Sequence, residues 1–389
     1  MSGQIFDLAI HNATNNIEFI TPVYGFAVDE TNSDSNTCVS YIEDAVGLTP
    51  ATNTNEVFDG GSWLDIYPFN KVRPVVLSNG EVIAEIDKNN FAVDINGNTL
   101  DTSVGDWMIE IPPVYWKITH TETGYEVRWS QNKKDAGYQA LAHSRGDKLK
   151  DNLYIAIYDG YIESSVLKST PSTTPTKCTL TTGRRYALKQ SGYGILNFHA
   201  VTLLQILFVT MFKTLHSQGI FMGKASGSKL DNGTLDTNGM YYGITSGYTS
   251  AMKFMGIENM YGNMYTLIDG ILLTSDNIYY ISDNTVFNNT GEGYQWTLTN
   301  PASTTGHILK VIGEQVGGLL PSNVSSSGST SSYYADYYTY GVSTSYHCTY
   351  RWGGSYNSDS AKAGIFCFRY AGVDLSSSPM NTRLLYLAP

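Results

Sequence analysis

The sequence predicts an α+β protein that is rich in strands and carries at least one long buried helix. Three observations lead there. Usage is skewed to 29 Tyr and 37 Gly with many Ser, Thr and Asn, while only 15% of residues are charged. Tyr and Thr fit pleated strands, and Gly, Asn and Asp fit tight turns. Short apolar runs separated by turn signals recur through the first hundred residues, and one later stretch switches to three- and four-residue apolar spacing.

Taken in order, Pro74–Leu77 leads into Ser78-Asn79-Gly80, Glu81–Glu85 into Asp87–Asn90, and Asn90–Ile95 into Asn96-Gly97. Asn-Gly between apolar runs is the strongest short-range hairpin signal. Residues 1–104 therefore read as a small N-terminal β domain suited to attachment or oligomerisation. Asp29–Asp34 has the look of a calcium loop but lacks the Gly and Glu such a loop needs, so it reads as a polar turn. A second unit, 105–389, opens with Asp106–Ile118, a strand pair broken by Pro112-Pro113, followed by strands at Tyr125–Trp129 and Leu153–Tyr158. Asn197 is placed to cap a helix in which Val201, Leu204, Leu207, Phe208, Met211, Phe212 and Leu215 share a face. That helix should run about 18 residues. His199 and His216 flank it and read as satisfied polar groups. Ser322–Ser332 reads as a surface loop.

Composition excludes several classes. The chain has 389 residues and a net charge of −11, so no broad basic field exists to hold a nucleic acid. Ala200–Phe212 is too short to span a bilayer, so no membrane insertion is expected. The start lacks the pattern of a secretory signal, and Cys38, Cys178, Cys348 and Cys367 have neither disulfide-framework nor zinc spacing. Synthesis in a reducing cytosol is the expectation.

The last 57 residues hold ten of the 29 Tyr, accompanied by Ser, Asn, Gly and Trp. This is the composition of an adaptable binding surface, because Tyr gives wide contact with few torsions to freeze. Tyr340, Tyr346, His347, Cys348, Tyr350, Trp352, Tyr356, Asn357, Ser358, Asp359, Lys362, Cys367 and Arg369 are the candidate ligand-binding residues. Strand alternation puts Phe366 and Phe368 on one face, expected to be core, and Cys367 and Arg369 on the other, expected to be exposed beside Tyr356, Asn357, Asp359 and Lys362. It groups Cys348, Tyr350 and Trp352 against His347 and Arg351 without deciding which set faces outward.

Gly256–Gly270, with Gly262-Asn263 and Asp269, resembles the signature of the formylglycine-generating-enzyme type of C-type lectin fold. Arg351–Tyr356 with Gly353-Gly354, then Ala363–Phe366 and Arg383, resembles its closing segment. Together with Ile111–Trp116 and Leu203–Phe208, the set is similar to variable proteins of diversity-generating retroelements of the phage major-tropism-determinant type. The resemblance spans roughly 105–389. It implies a non-enzymatic receptor-binding protein of a phage tail tip or tail fibre, assembled in the host cytoplasm and acting as a homotrimer beside other tail or baseplate proteins. Its variable segment, about 333–389, would recognise a bacterial surface protein or glycan. Mutagenesis of Asn codons would account for Cys348, Tyr350, Tyr356, Ser358, Asp359, Cys367 and Arg369.

The alternatives are a sulfatase-modifying type of oxidase and a bacterial surface adhesin. In the oxidases of this fold two copper-binding thiols follow the Gly-Gly-Ser-Tyr stretch, whereas Ser358 and Ala363 stand at those positions here. The motifs HExxH, GxSxG and the Walker loop are missing. No catalytic residue and no cofactor are expected, apart from a calcium ion that the Asx-rich turn around Asp231, Asn232, Asp236 and Asn238 could hold. Glu258 and Asp269 are expected to hold the signature loop through backbone hydrogen bonds.

Overall fold

A computed structural model describes residues 21–299, 301–342, 347–358, 362–376 and 379–388. It is strand-rich, with 38% strand and 9% helix, and includes a sheet curled into a half-barrel. The hairpin signals are realised directly. Arg73–Ser78 and Glu81–Asp87 pair through Asn79 and Gly80, both at positive φ (51° and 84°), as a two-residue turn with the twist of its strands requires.

Three sheets carry most of the chain. In the four-stranded sheet, Tyr24–Asp29 pairs with Val39–Glu43 on one side and with Gly124–Ser130 on the other, and Tyr115–His120 completes it. In the seven-stranded sheet, Asp106–Ile111 lies between Arg73–Ser78 and Leu153–Ala156, and beyond the latter come Leu384–Leu387 and the edge strand Tyr193–Ile195. The largest sheet has Tyr265–Leu273, Cys348–Gly353, Gly364–Gly372 and Tyr337–Thr339 as successive neighbours at its centre. Gly306–Ile312 and Leu320–Ser325 form one edge and Trp296–Leu298 the other.

These pairings correct the domain boundary expected at 104/105. Strands from either side of it are hydrogen-bonded in both smaller sheets, so the fold does not divide there. Asp106–Ile111 and Tyr115–His120 do not pair with each other; the Pro112-Pro113 break sends them into different sheets. The Ser-rich stretch is in part an edge strand, since Leu320–Ser325 pairs with Gly306–Ile312.

The predicted helix is Phe198–Phe212, and all fifteen of its residues are buried. The Asn197 side chain accepts from the Ala200 amide at 2.9 Å, capping the first turn. Its end comes three residues before Leu215 because Lys213 turns left-handed (φ 53°) and Thr214 bonds the Ser35 carbonyl. A helix buried all round needs partners for its polar side chains. Thr210 accepts from the Trp129 indole, Gln205 donates to the Ile365 carbonyl, and His199 contacts the Val316 carbonyl at 3.1 Å. These bonds join the N-terminal sheet and the C-terminal strands to one helix, and a single apolar cluster runs from Phe26 to Leu387.

Candidate functional site: the C-terminal strand pair

The residues read as a fold signature meet in a buried polar frame. Arg383 is 1% exposed. Its guanidinium donates to the carbonyls of Ala156, Ile157, Glu258 and Asn259 and to Asp159 Oδ1 at 2.9 Å. Asp159 Oδ2 accepts from Asn263, whose own carbonyl accepts from the Tyr356 amide. The Gly262 amide donates to the Gly353 carbonyl. Gly354, at φ 84°, has room for no side chain: a Cβ would lie 2.5 Å from the Ala363 Cα. Asp269 is bidentate to Arg184 at 2.7 Å, and its amide reaches the Leu196 carbonyl while the Leu196 amide reaches that of Arg383. Glu258 accepts from the amides of Gly233 and Leu235, as its expected backbone role requires. It is nevertheless desolvated, and burial raises its carboxyl to about 7. The same environment lowers the Lys253 ammonium to about 8.

On this frame Cys348–Gly353 and Gly364–Gly372 run antiparallel with Tyr350 opposite Tyr370, Arg351 opposite Arg369 and Trp352 opposite Phe368. The structure settles the face that spacing left open. Phe366 and Phe368 are core, as alternation predicts. Cys348, Tyr350 and Trp352 share that inner face and are buried. The Tyr350 hydroxyl sits between those of Tyr279 (2.9 Å) and Tyr338 (2.7 Å), and the Trp352 indole donates to the Ile365 carbonyl at 2.6 Å. These three residues are therefore removed from the ligand-facing set. Cys367, on the outer face, is also buried: its thiol points to the Lys362 carbonyl at 3.1 Å, and burial holds it far above the ordinary thiol range. Ser358 is buried too, bonding the Tyr265 hydroxyl. Cys367, expected at the surface, and Cys348, a candidate ligand-binding residue, are thus packing residues, in keeping with the burial usual for cysteine.

What stays accessible falls in two places. Tyr356, Asn357 and Lys362 lie at the Gly353–Gly364 end of the pair, with Asn357 exposed and the other two half-buried, and half-buried Arg369 is on the outer face. Tyr340 and His347 are half-buried toward the opposite end, where Tyr370 meets Gly341 and the His347 ring stands edge-on to Tyr280. Tyr346 and Asp359 lie outside the described residues.

Sequence reasoning left three members of the outer face off its list: Arg351, Tyr265 and Tyr337. The Arg351 guanidinium lies 4.8 Å from the Tyr265 ring centre, and the Lys362 ammonium 5.4 Å from that of Tyr337. The available signal was the register, since a strand that buries Tyr350 and Trp352 must turn Arg351 the other way.

In the Asx-rich turn the carboxylates are engaged apart from each other, Asp231 with Thr174 and Asp236 with the Tyr158 hydroxyl. Among the described residues no group of three His, Cys, Asp or Glu is placed to hold a metal ion. A separate concave surface, formed by adjoining cavities of about 200, 370 and 230 Å³, is lined in common by Gln139 and Leu141 and flanked by half-buried Trp296. Comparison of the chain with models of known protein families and with curated proteins returns no match.

Proposed function

We propose that this chain is a non-enzymatic receptor-binding protein with a C-type lectin fold of the formylglycine-generating type, displayed at a phage tail tip. The observation that carries the reading is the separation of roles in the C-terminal strand pair. One face is locked into the core by Tyr350, Trp352, Phe366 and Phe368, and the frame beneath it is held by the Arg383–Asp159 pair. The opposite face and its connecting loop present Arg369, Lys362, Tyr356 and Asn357 to solvent in varying degree. A surface of that kind can change its ligand-facing residues without repacking the interior. The resemblance of Gly262-Asn263, Gly353-Gly354 and Arg383 to the lectin-type signature supports it, since these residues converge on one network.

On this reading the ligand is a bacterial surface molecule, the assembly is a homotrimer joined to other tail proteins, and weak single contacts add by avidity. Retroelement diversification would act on Tyr356, Asn357 and Arg369 and would spare Tyr350 and Trp352. The test is binding of the purified, labelled protein to a panel of bacterial strains. Substituting Tyr356 or Asn357 by Ala should weaken binding to the responsive strain while leaving the melting temperature near that of the parent. No strain bound, or binding indifferent to both substitutions, would refute the proposal.

A further inference from the structure

Arg351 and Arg369 stand directly opposite each other on adjacent strands and share the outer face. Like charges so placed repel, and a guanidinium cannot relieve the repulsion by losing its proton. Arg351 is only 8% exposed. The Nε of each is buried without a hydrogen-bond partner, and neither forms an ion pair among the described residues. The ring of Tyr265 below Arg351 offsets only part of this cost.

Half-buried Arg145 has no ion pair among the described residues but donates to the carbonyls of Gly192 and Leu387, and four further arginines are paired with acids. Arg383 is paired with Asp159, Arg184 with Asp269, Arg73 with Glu110 and Glu85, and Arg128 with Glu43 and Glu126. A chain with a net charge of −11 has acids to spare, yet none of its described carboxylates forms an ion pair with either arginine.

We infer that Arg351 and Arg369 form a fork for one oxyanion, a carboxylate, sulfate or phosphate group borne by an acidic surface glycan. Two planar guanidiniums offer the parallel N–H donors that such groups accept in pairs. A glycan fits better than an acidic peptide because both strands are paired on each side, leaving no free sheet edge for an extended chain to join. Half-buried Tyr337 lies on the same face, on the strand that neighbours that of Arg369, and flat ring faces suit sugars. This rests on the receptor-binding reading for the identity of the ligand, though not for the existence of the anion site.

The experiment is calorimetric titration of the full chain with galacturonate oligomers, glucose 6-phosphate, inorganic sulfate and a Glu-containing tetrapeptide, repeated with Arg369→Gln and Arg351→Gln. Saturable, salt-sensitive binding of at least one sugar oxyanion is expected, weakened about 10-fold or more in either variant, the loss of one charge-assisted contact. In chloride-poor, oxyanion-free buffer Arg369→Gln should melt no lower than the parent, because it removes a repulsion. Binding of the peptide alone would overturn the glycan assignment. No binding by the parent, or equal binding by both variants, would overturn the site. Oxyanion binding without attachment to any bacterial strain would leave the site standing and remove the receptor reading; attachment that no oxyanion competes for would do the reverse.

Discussion

Replacing Tyr350 by Phe separates an interior role from a ligand-facing one with the loss of a single oxygen. The hydroxyl is fully buried between those of Tyr279 and Tyr338, which are also inaccessible. Losing two hydrogen bonds at about 1 kcal/mol each, and leaving at least one neighbour short of a partner, predicts a destabilisation of about 2–3 kcal/mol. The ring keeps its place against Phe368, so no cavity adds to the cost. Urea unfolding should show a lower midpoint with an unchanged slope. The cluster also predicts its own non-additivity. Converting Tyr279, Tyr338 and Tyr350 all to Phe removes every stranded hydroxyl, so the triple variant should be less destabilised than the sum of the single changes. A Tyr350→Phe protein within about 0.5 kcal/mol of the parent, or strictly additive losses, would refute this account of the inner face.

Arg383→Met leaves Asp159 buried without its counter-charge and should cost about 3–5 kcal/mol, with Asp159→Asn in the same chain recovering part of the loss in thermal unfolding. Gly364→Ala places a Cβ 1.9 Å from Asp336 Oδ1 at a backbone φ of 145°, so lower expression or a lower melting temperature is expected, and parental stability would contradict the packing. Burial lowers His199 to about 4 from 6.5. The unfolded chain therefore takes up this proton first, and the contribution of the neutral ring is complete above pH 6.5 and lost as pH falls toward 4. The stability advantage of the parent over His199→Gln should shrink by about 3 kcal/mol across that window, read from unfolding curves at each pH.

Much of the scaffold is written in local signals. Asn197 before a helical apolar run and Asn79-Gly80 between alternating runs each carry their own physical cause, a cap that completes the first turn and a turn that needs positive φ. The Phe366/Phe368 alternation is legible for the same reason. What is not legible is whatever depends on the far side of a strand. Spacing shows that Cys348, Tyr350 and Trp352 point one way together, but which way follows from Tyr279 and Tyr338, both brought in from other parts of the sheet. Tyr is ambiguous by nature, amphipathic enough for a paratope and large enough for a core once its hydroxyl finds a partner. Cys367 misleads differently, since it alternates outward yet is covered by the turn carrying the Lys362 carbonyl. The boundary at 104/105 fails because the pattern of apolar runs changes there while sheet pairing, which is non-local, runs across it.

As a receptor-binding protein, the chain would meet its bacterial ligand through the loop and outer face of the C-terminal strand pair. Photo-crosslinking tests this contact most directly, with a photoreactive residue at exposed Asn357 and, as the control, at exposed Ile95 on the hairpin side of the seven-stranded sheet. Adducts with cell-envelope material are expected from position 357, and none above background from position 95. Adducts from position 95 alone, or from neither position on cells that bind the protein, would contradict the contact.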